Sequence, residues 1–204
     1  MWDDKSTFEG FWRNDKANGR GRMIYADGSI YEGSWLDGKQ NGYGVFSSID
    51  GIKYHGSWLN NMQHGKGEEE WPDGTKFVGE FQHGKKTGKG QFRWPDGSTY
   101  QGEVVDNKLH GYGTYTWAVE GRVYAGYWSK NCMHGQGILE YADGRIYHGS
   151  FAKGKKHGNG SFEWPDNRKY RGHYHSDIKQ GYGIFEWPDG RKYIGQWLNG
   201  RQHG

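Results

Sequence analysis

Read as hydrophobic and polar positions, the chain alternates. Tyr54-His55-Gly56-Ser57-Trp58 runs large, polar, glycine, polar, large, and a similar beat opens at Phe8, Tyr31, Tyr54, Phe77, Tyr100, Tyr124, Tyr147, Tyr170 and Tyr193. An apolar period of two, rather than 3.6, predicts strands. Every spacing between openings is 23 residues except the 24 from Tyr100 to Tyr124. A fixed period of this size predicts one supersecondary unit stacked on copies of itself. The extra residue falls in Trp117-Ala118-Val119-Glu120-Gly121, where other units read Trp-Pro-Asp-Gly. An insertion at a turn tip leaves the strands in register.

The position four after each opening aromatic is again large: Trp12, Trp35, Trp58, Phe81, Val104, Trp128, Phe151, Tyr174 and Trp197. A second strand follows in each unit as Gly-x-Gly-x-large-x-aromatic, for instance through Gly183, Phe185 and Trp187. Glu69 stands in the first of its two large columns and Ser48 in the second, which predicts looser packing in their units. A strand glycine leaves room for a ring to lie over the backbone. The Gly-x-Gly glycines are therefore expected to be sockets for aromatics. All four prolines (Pro72, Pro95, Pro165, Pro188) fall in Trp-Pro-Asp-Gly or its variant ending at Asn167. Proline presets φ, aspartate bonds back to the backbone, and Gly or Asn accepts a positive φ. That turn joins one unit to the next. The connection inside a unit, such as Leu59–His64, reads as the longer and more variable one.

The expected fold is all-β: an elongated, single-layer antiparallel β-hairpin solenoid, aromatic-lined and rod-like, whose units contact only their neighbours. Two strands per unit at about 4.8 Å each predict a rod on the order of 80–90 Å long. Residues 1–7 match the stretch before Tyr100 and read as the tail of a preceding repeat. Residues 8–204 hold eight full repeats and a partial ninth from Tyr193. Neither end has the polar capping unit of a natural array, which predicts further units on the N-terminal side.

Composition changes this picture little. Leu, Ile, Val and Phe make up roughly 14% of the chain, below the ~20% associated with disorder. Aromatics supply 17%, however, and each buries on the order of 150–250 Å², so the expected core is aromatic. The lone Cys132 excludes an internal disulfide and suits a reducing, cytoplasmic compartment. No apolar run approaches the ~18 residues of a membrane helix. A net charge of +3 leaves no footprint for nucleic acid.

The whole pattern, Tyr-x-Gly-x-Trp-x₅-His-Gly-x-Gly-x₅-Asp-Gly at Tyr54–Gly74, resembles the MORN (membrane occupation and recognition nexus) repeat, and the resemblance covers nearly the whole chain. Leucine-rich repeats share the period but need a Leu-x-x-Leu-x-Leu frame that is absent. The resemblance implies a hairpin solenoid whose aromatics line one face: Tyr31, Trp35, Tyr54, Trp58, Trp71, Trp94, Tyr124, Trp128, Tyr147, Trp164, Tyr170 and Trp187. So pure an array is most similar to apicomplexan and kinetoplastid cytoskeletal scaffolds, which form elongated homodimers. That likeness implies a cytoskeleton-associated location and a link to cell division.

Candidate chemistry is sparse. No Walker loop or Rossmann fingerprint occurs, and each Gly-x-Gly lies inside a strand, where it cannot set a phosphate on a helix N-terminus. Carboxylates recur where turns use them. No enzymatic activity, catalytic residue or cofactor-binding residue is expected. Cys132 and His134 would supply half of a Cys₂His₂ zinc set, completed only across a two-fold homodimer; a spare surface thiol is the plainer alternative. Lys85-Lys86, Lys155-Lys156 and Arg168-Lys169 offer charge for weak phosphoinositide binding at the inner face of a membrane, yet acids interleave with them. Protein–protein assembly has the strongest physical support. An open meander leaves strand edges that invite another strand. Tyr193, Trp197 and Leu198, with Tyr174 beside them, are expected to meet their own copy in an antiparallel homodimer. Exposed rings along the face would also suit a partner's helix or extended peptide. The expected function is a structural scaffold that self-associates and contacts cytoskeletal proteins; the alternative is a phosphoinositide-directed targeting module.

Overall fold

The structure, a computed structural model, describes residues 5–203; the first four residues of the expected tail lie outside the described residues. Every helix or strand among the described residues is a strand, and the strands form one open antiparallel sheet of consecutive hairpins. In chain order these are β1 (Thr7–Arg13), β2 (Lys16–Ile24), β3 (Ile30–Leu36), β4 (Lys39–Ser47), β5 (Lys53–Leu59) and β6 (Met62–Glu70). Next come β7 (Lys76–Gln82), β8 (Lys85–Arg93), β9 (Thr99–Val105), β10 (Lys108–Trp117), β11 (Arg122–Ser129) and β12 (Cys132–Glu140). The last six are β13 (Ile146–Ala152), β14 (Lys155–Glu163), β15 (Lys169–His175), β16 (Ile178–Glu186), β17 (Lys192–Leu198) and β18 (Arg201–His203). The chain falls into two compact units. The first runs to Pro95 and takes in Val104–Asn107; the second holds Asp96–Glu103 and everything from Lys108.

One repeat shows why these residues fold this way. On β5, Tyr54, Gly56 and Trp58 are buried on one face while Lys53, His55 and Leu59 are exposed. Asn60 and Asn61 then turn the chain with φ of 49° and 66°. Two successive positive φ values make the type I′ geometry whose twist suits a two-residue hairpin. The connection inside a unit is therefore the shorter one, against the sequence expectation. Trp71–Thr75, between β6 and β7, is the longer. There Gly74 N donates to Trp71 O at 2.9 Å, and Thr75 N donates to Asp73 Oδ1 at 2.8 Å.

The two glycines of Gly-x-Gly do different jobs, which corrects the reading of both as sockets. Gly56 pairs with Gly67 and Trp58 with Gln63, so three residues, His64, Gly65 and Lys66, face Ser57 alone. Such a bulge needs a left-handed residue, and Gly65 supplies it with φ of 69°. Gly67 is the socket, and it takes the ring of Tyr54 from its own hairpin rather than one from a neighbour. The Tyr54 hydroxyl then donates to the Ser57 carbonyl at the bulge, at 2.9 Å. The same bond recurs from Tyr31 to Ser34 and from Tyr147 to Ser150, both at 3.0 Å. Phe77 cannot make it. We expect Tyr54→Phe to lose about 1 kcal/mol and Phe77→Tyr to gain a similar amount, measured by urea unfolding.

Repeats interlock through rings. The Tyr31 ring stands edge-on to Trp35 at 5.2 Å and to Trp58 of the next repeat at 5.1 Å. In the second unit Tyr147 does the same to Phe151 and Tyr174, at 5.1 and 5.3 Å. Each such pair adds about 0.5–1.5 kcal/mol beyond its burial. Trp58 and Trp128 also donate through Nε1 to Gly44 O and Gly113 O in the preceding repeat, at 3.3 and 3.1 Å. The inner loops clasp one another: Asn61 Oδ1 accepts from Gln40 N at 2.8 Å, and Asp177 Oδ1 from Lys156 N at 2.9 Å.

Glu69 does not loosen its repeat. Its carboxylate accepts a hydrogen bond from Lys86 Nζ, with only 12% and 11% of the two side chains exposed. Phe77 and Phe81 around it are fully buried or nearly so. The missing apolar volume is filled by the lysine stem, whose ammonium lies 4.5 Å from the Trp71 ring.

Candidate functional site

The ring face is mostly spent on the core. Tyr31, Tyr54, Tyr124, Tyr147 and Tyr170 are inaccessible to solvent, and Trp35, Trp58 and Trp128 are buried. Burial pushes the Tyr100 and Tyr170 hydroxyls up to about 12, so these phenols are structural donors and not acid–base groups at neutral pH. Trp71, Trp94, Trp164 and Trp187 begin the outer turns and are half-buried. Cations cover three of them: Lys86 on Trp71, Arg168 on Trp164 at 5.4 Å and Arg191 on Trp187 at 5.6 Å.

The residues expected at a dimer contact sit in different surroundings. Tyr174 and Trp197 are buried, and Trp197 packs edge-on to the Tyr170 ring at 5.1 Å. Tyr193 is half-buried and donates to Gln196 O at 2.7 Å. Leu198 is exposed. Cys132 and His134 are both exposed and separated by one strand residue, with His134 opening the bulge that precedes Gly137. Among the described residues no group of three or more His, Cys, Asp or Glu side chains could hold a metal ion, so none of them adds a third ligand to this pair.

Five of the six cations considered for lipid headgroups already face a carboxylate. Lys85 meets Asp106, Lys86 meets Glu69, Lys156 meets Asp177, Arg168 meets Asp166 and Lys169 meets Glu163.

The face opposite the rings carries apolar side chains that the repeat pattern does not demand. In the second unit Tyr112 and Tyr127 stand edge-on at 5.6 Å. Both are exposed, as are Ile138, Tyr182 and Ile194. In the first unit a groove of about 530 Å³ runs past Tyr43, His55, Lys66, Val78 and Glu80 on the same face. A sequence signal existed: Tyr43, Tyr112 and Tyr182 all occupy the middle of a Gly-x-Gly. Beside a bulge glycine and a socket glycine, that position points away from the core.

Comparison with known proteins agrees with this geometry. A family model described as MORN repeat matches nine consecutive segments: 8–30, 31–53, 54–76, 77–99, 100–122, 124–144, 147–167, 170–190 and 193–204. No curated protein matches the chain. Among solved structures, the G-box domain of the microcephaly protein CPAP is similar at 15% identity and a TM-score of 0.54, over 95% of this chain and 99% of that one. This is a likeness of fold. The TCP domain of Drosophila melanogaster SAS-4 (dCPAP), in complex with a proline-rich motif of Ana2, matches at 12% identity and a TM-score of 0.39, covering 97% and 94% of the two chains. The TCP10 domain of Danio rerio CPAP matches at 12% identity and 0.34, covering 96% and 91%.

Proposed function

The chain belongs to the MORN repeat family, and from that membership we propose that it is a non-enzymatic interaction scaffold, self-associating and organising a cytoskeletal or membrane-apposed assembly through protein–protein contacts. The observation that carries this reading is the exposed apolar set Tyr112, Tyr127, Ile138, Tyr182 and Ile194 on a face the fold does not need. Exposed aromatic and aliphatic side chains grouped on one surface mark interaction sites. Neutralisation of five candidate headgroup cations by their own carboxylates favours protein over lipid as the partner.

Size-exclusion chromatography with light scattering tests the self-association. The expected mass is twice the 23.5 kDa of the chain. A monomer mass that persists at every concentration overturns that part of the reading. Flotation with phosphoinositide vesicles tests the alternative, and salt-sensitive binding there would transfer the function to lipid targeting.

A further inference from the structure

The second residue of each second strand lies on the ring face, opposite the large residue of the first strand. Six of these positions carry Gln or Lys, and the surroundings of four of them, Gln40, Lys86, Lys156 and Lys179, can be compared directly. Gln40 Nε2 donates to Tyr25 Oη at 2.6 Å. Lys86 Nζ donates to Glu69. Lys156 Nζ donates to Tyr141 Oη at 3.4 Å and has Asp177 at 3.7 Å. Lys179, paired across the strands with Tyr174, has rings on four sides instead: Tyr170 at 4.6 Å, Trp197 at 4.7 Å, Phe185 at 4.9 Å and Trp164 at 5.1 Å. No carboxylate of the described residues lies within ion-pair distance of it.

The repeat explains what is missing. The position that gives Lys86 its Glu69 is Phe162 for Lys179. The position that gives Lys156 the Tyr141 hydroxyl is Trp164. The inner-loop position that gives Lys156 its Asp177 is Gly200. All three acceptors available to sibling lysines are absent at once, and Gly200 leaves open space where Asp177 would project. A groove of about 350 Å³ results, with Phe162, Trp164 and Tyr174 as apolar walls and Lys179, Asn199 and the Lys156–Asp177 ion pair as polar lining. Burial among the rings, with Arg168 adding repulsion, pulls the Lys179 ammonium down to about 8. Rings attract a cation, but a carboxylate does so more strongly in a partly desolvated site.

We propose that the groove over Lys179 docks a peptide segment of a partner protein, taking an acidic side chain onto the ammonium and a neighbouring apolar side chain against Phe162 and Trp164. This rests on the interaction-scaffold reading and names the chemistry of one of its contacts. The occupant supplies the carboxylate that Glu69 and Asp177 supply elsewhere in the same chain.

The test uses the full chain and two blocked peptides, acetyl-Ser-Leu-Glu-Phe-Ser-amide and its glutamine counterpart, with sodium acetate as a third ligand. Binding is followed by nuclear magnetic resonance at the Lys179 side chain and the Trp164 indole. The glutamate peptide is expected to bind about tenfold tighter than the glutamine peptide, as for one charge-assisted contact. Lys179→Met keeps the stem and should erase that preference. Gly200→Asp should erase it too, by restoring the internal acceptor; Asp177 holds φ of 71° against 78° at Gly200, so aspartate fits the turn. Equal binding of the two peptides, no binding of either, or a preference that survives in both variants overturns the proposal. Acetate binding as tightly as the glutamate peptide would also overturn it, giving the site to free carboxylates. A dimer mass without peptide preference leaves the scaffold reading intact; peptide preference on a monomer does the reverse.

Discussion

Glu69→Leu is expected to destabilise the fold by about 3 kcal/mol, at the lower end for breaking a buried ion pair, although it installs the residue type that Leu139 provides in the same column. The reason is Lys86. With the carboxylate gone, an ammonium on a side chain only 11% exposed keeps just the rings of Trp71, Phe77 and Phe81, at 4.5 to 5.5 Å. Lys86→Met alone strands the Glu69 carboxylate and should cost a similar amount. The double variant Glu69→Leu/Lys86→Met removes both charges and restores an apolar pair. It should return to within about 1 kcal/mol of the parent or exceed it, since apolar replacements of buried pairs are often neutral or stabilising. Urea unfolding of the four proteins gives the coupling directly. If both single variants stay within about 1 kcal/mol of the parent, the pair is solvated and this account of the repeat is wrong.

Glu69 also marks where sequence reading stops. Its partner lies 17 residues away in the next repeat, and nothing local distinguishes a carboxylate with a buried lysine from a defect in packing. What was legible was local: the period of two, the 23-residue unit, and the Trp-Pro-Asp-Gly turn that Asn167 completes with φ of 68°. The bulge was not legible. His64, Gly65 and Lys66 look like three ordinary strand residues until Gly56 is known to pair with Gly67 and Trp58 with Gln63. Missing that offset made the inner connection look long and gave both glycines one role. The groove at Lys179 was hidden for a related reason. Its three absent acceptors sit in three different columns, and they converge only once the strands are paired.

Separating the glycine roles predicts two very different substitution costs. A Cβ added to Gly33 would lie 2.5 Å from Gly44 Cα, 2.6 Å from the Tyr31 hydroxyl oxygen and 2.7 Å from Tyr43 O. Two of those atoms are backbone, and Tyr31 is fully buried, so nothing nearby can yield cheaply. Gly33→Ala must part the strands β3 and β4 or expel the ring that locks Trp35 to Trp58, and overpacking of this kind costs roughly 3 kcal/mol or more. Gly84→Ala is the contrast. That glycine has φ of 76°, and an added Cβ meets nothing within 4 Å. Its cost is only the left-handed backbone, about 1 kcal/mol. The gap of about 2 kcal/mol should appear in urea midpoints at unchanged m-value, because neither change alters the surface exposed on unfolding. If the two variants proved equal, the close approach of the Tyr31 ring and of β4 to Gly33 would carry no cost of its own, and the ring would no longer be what holds consecutive repeats together.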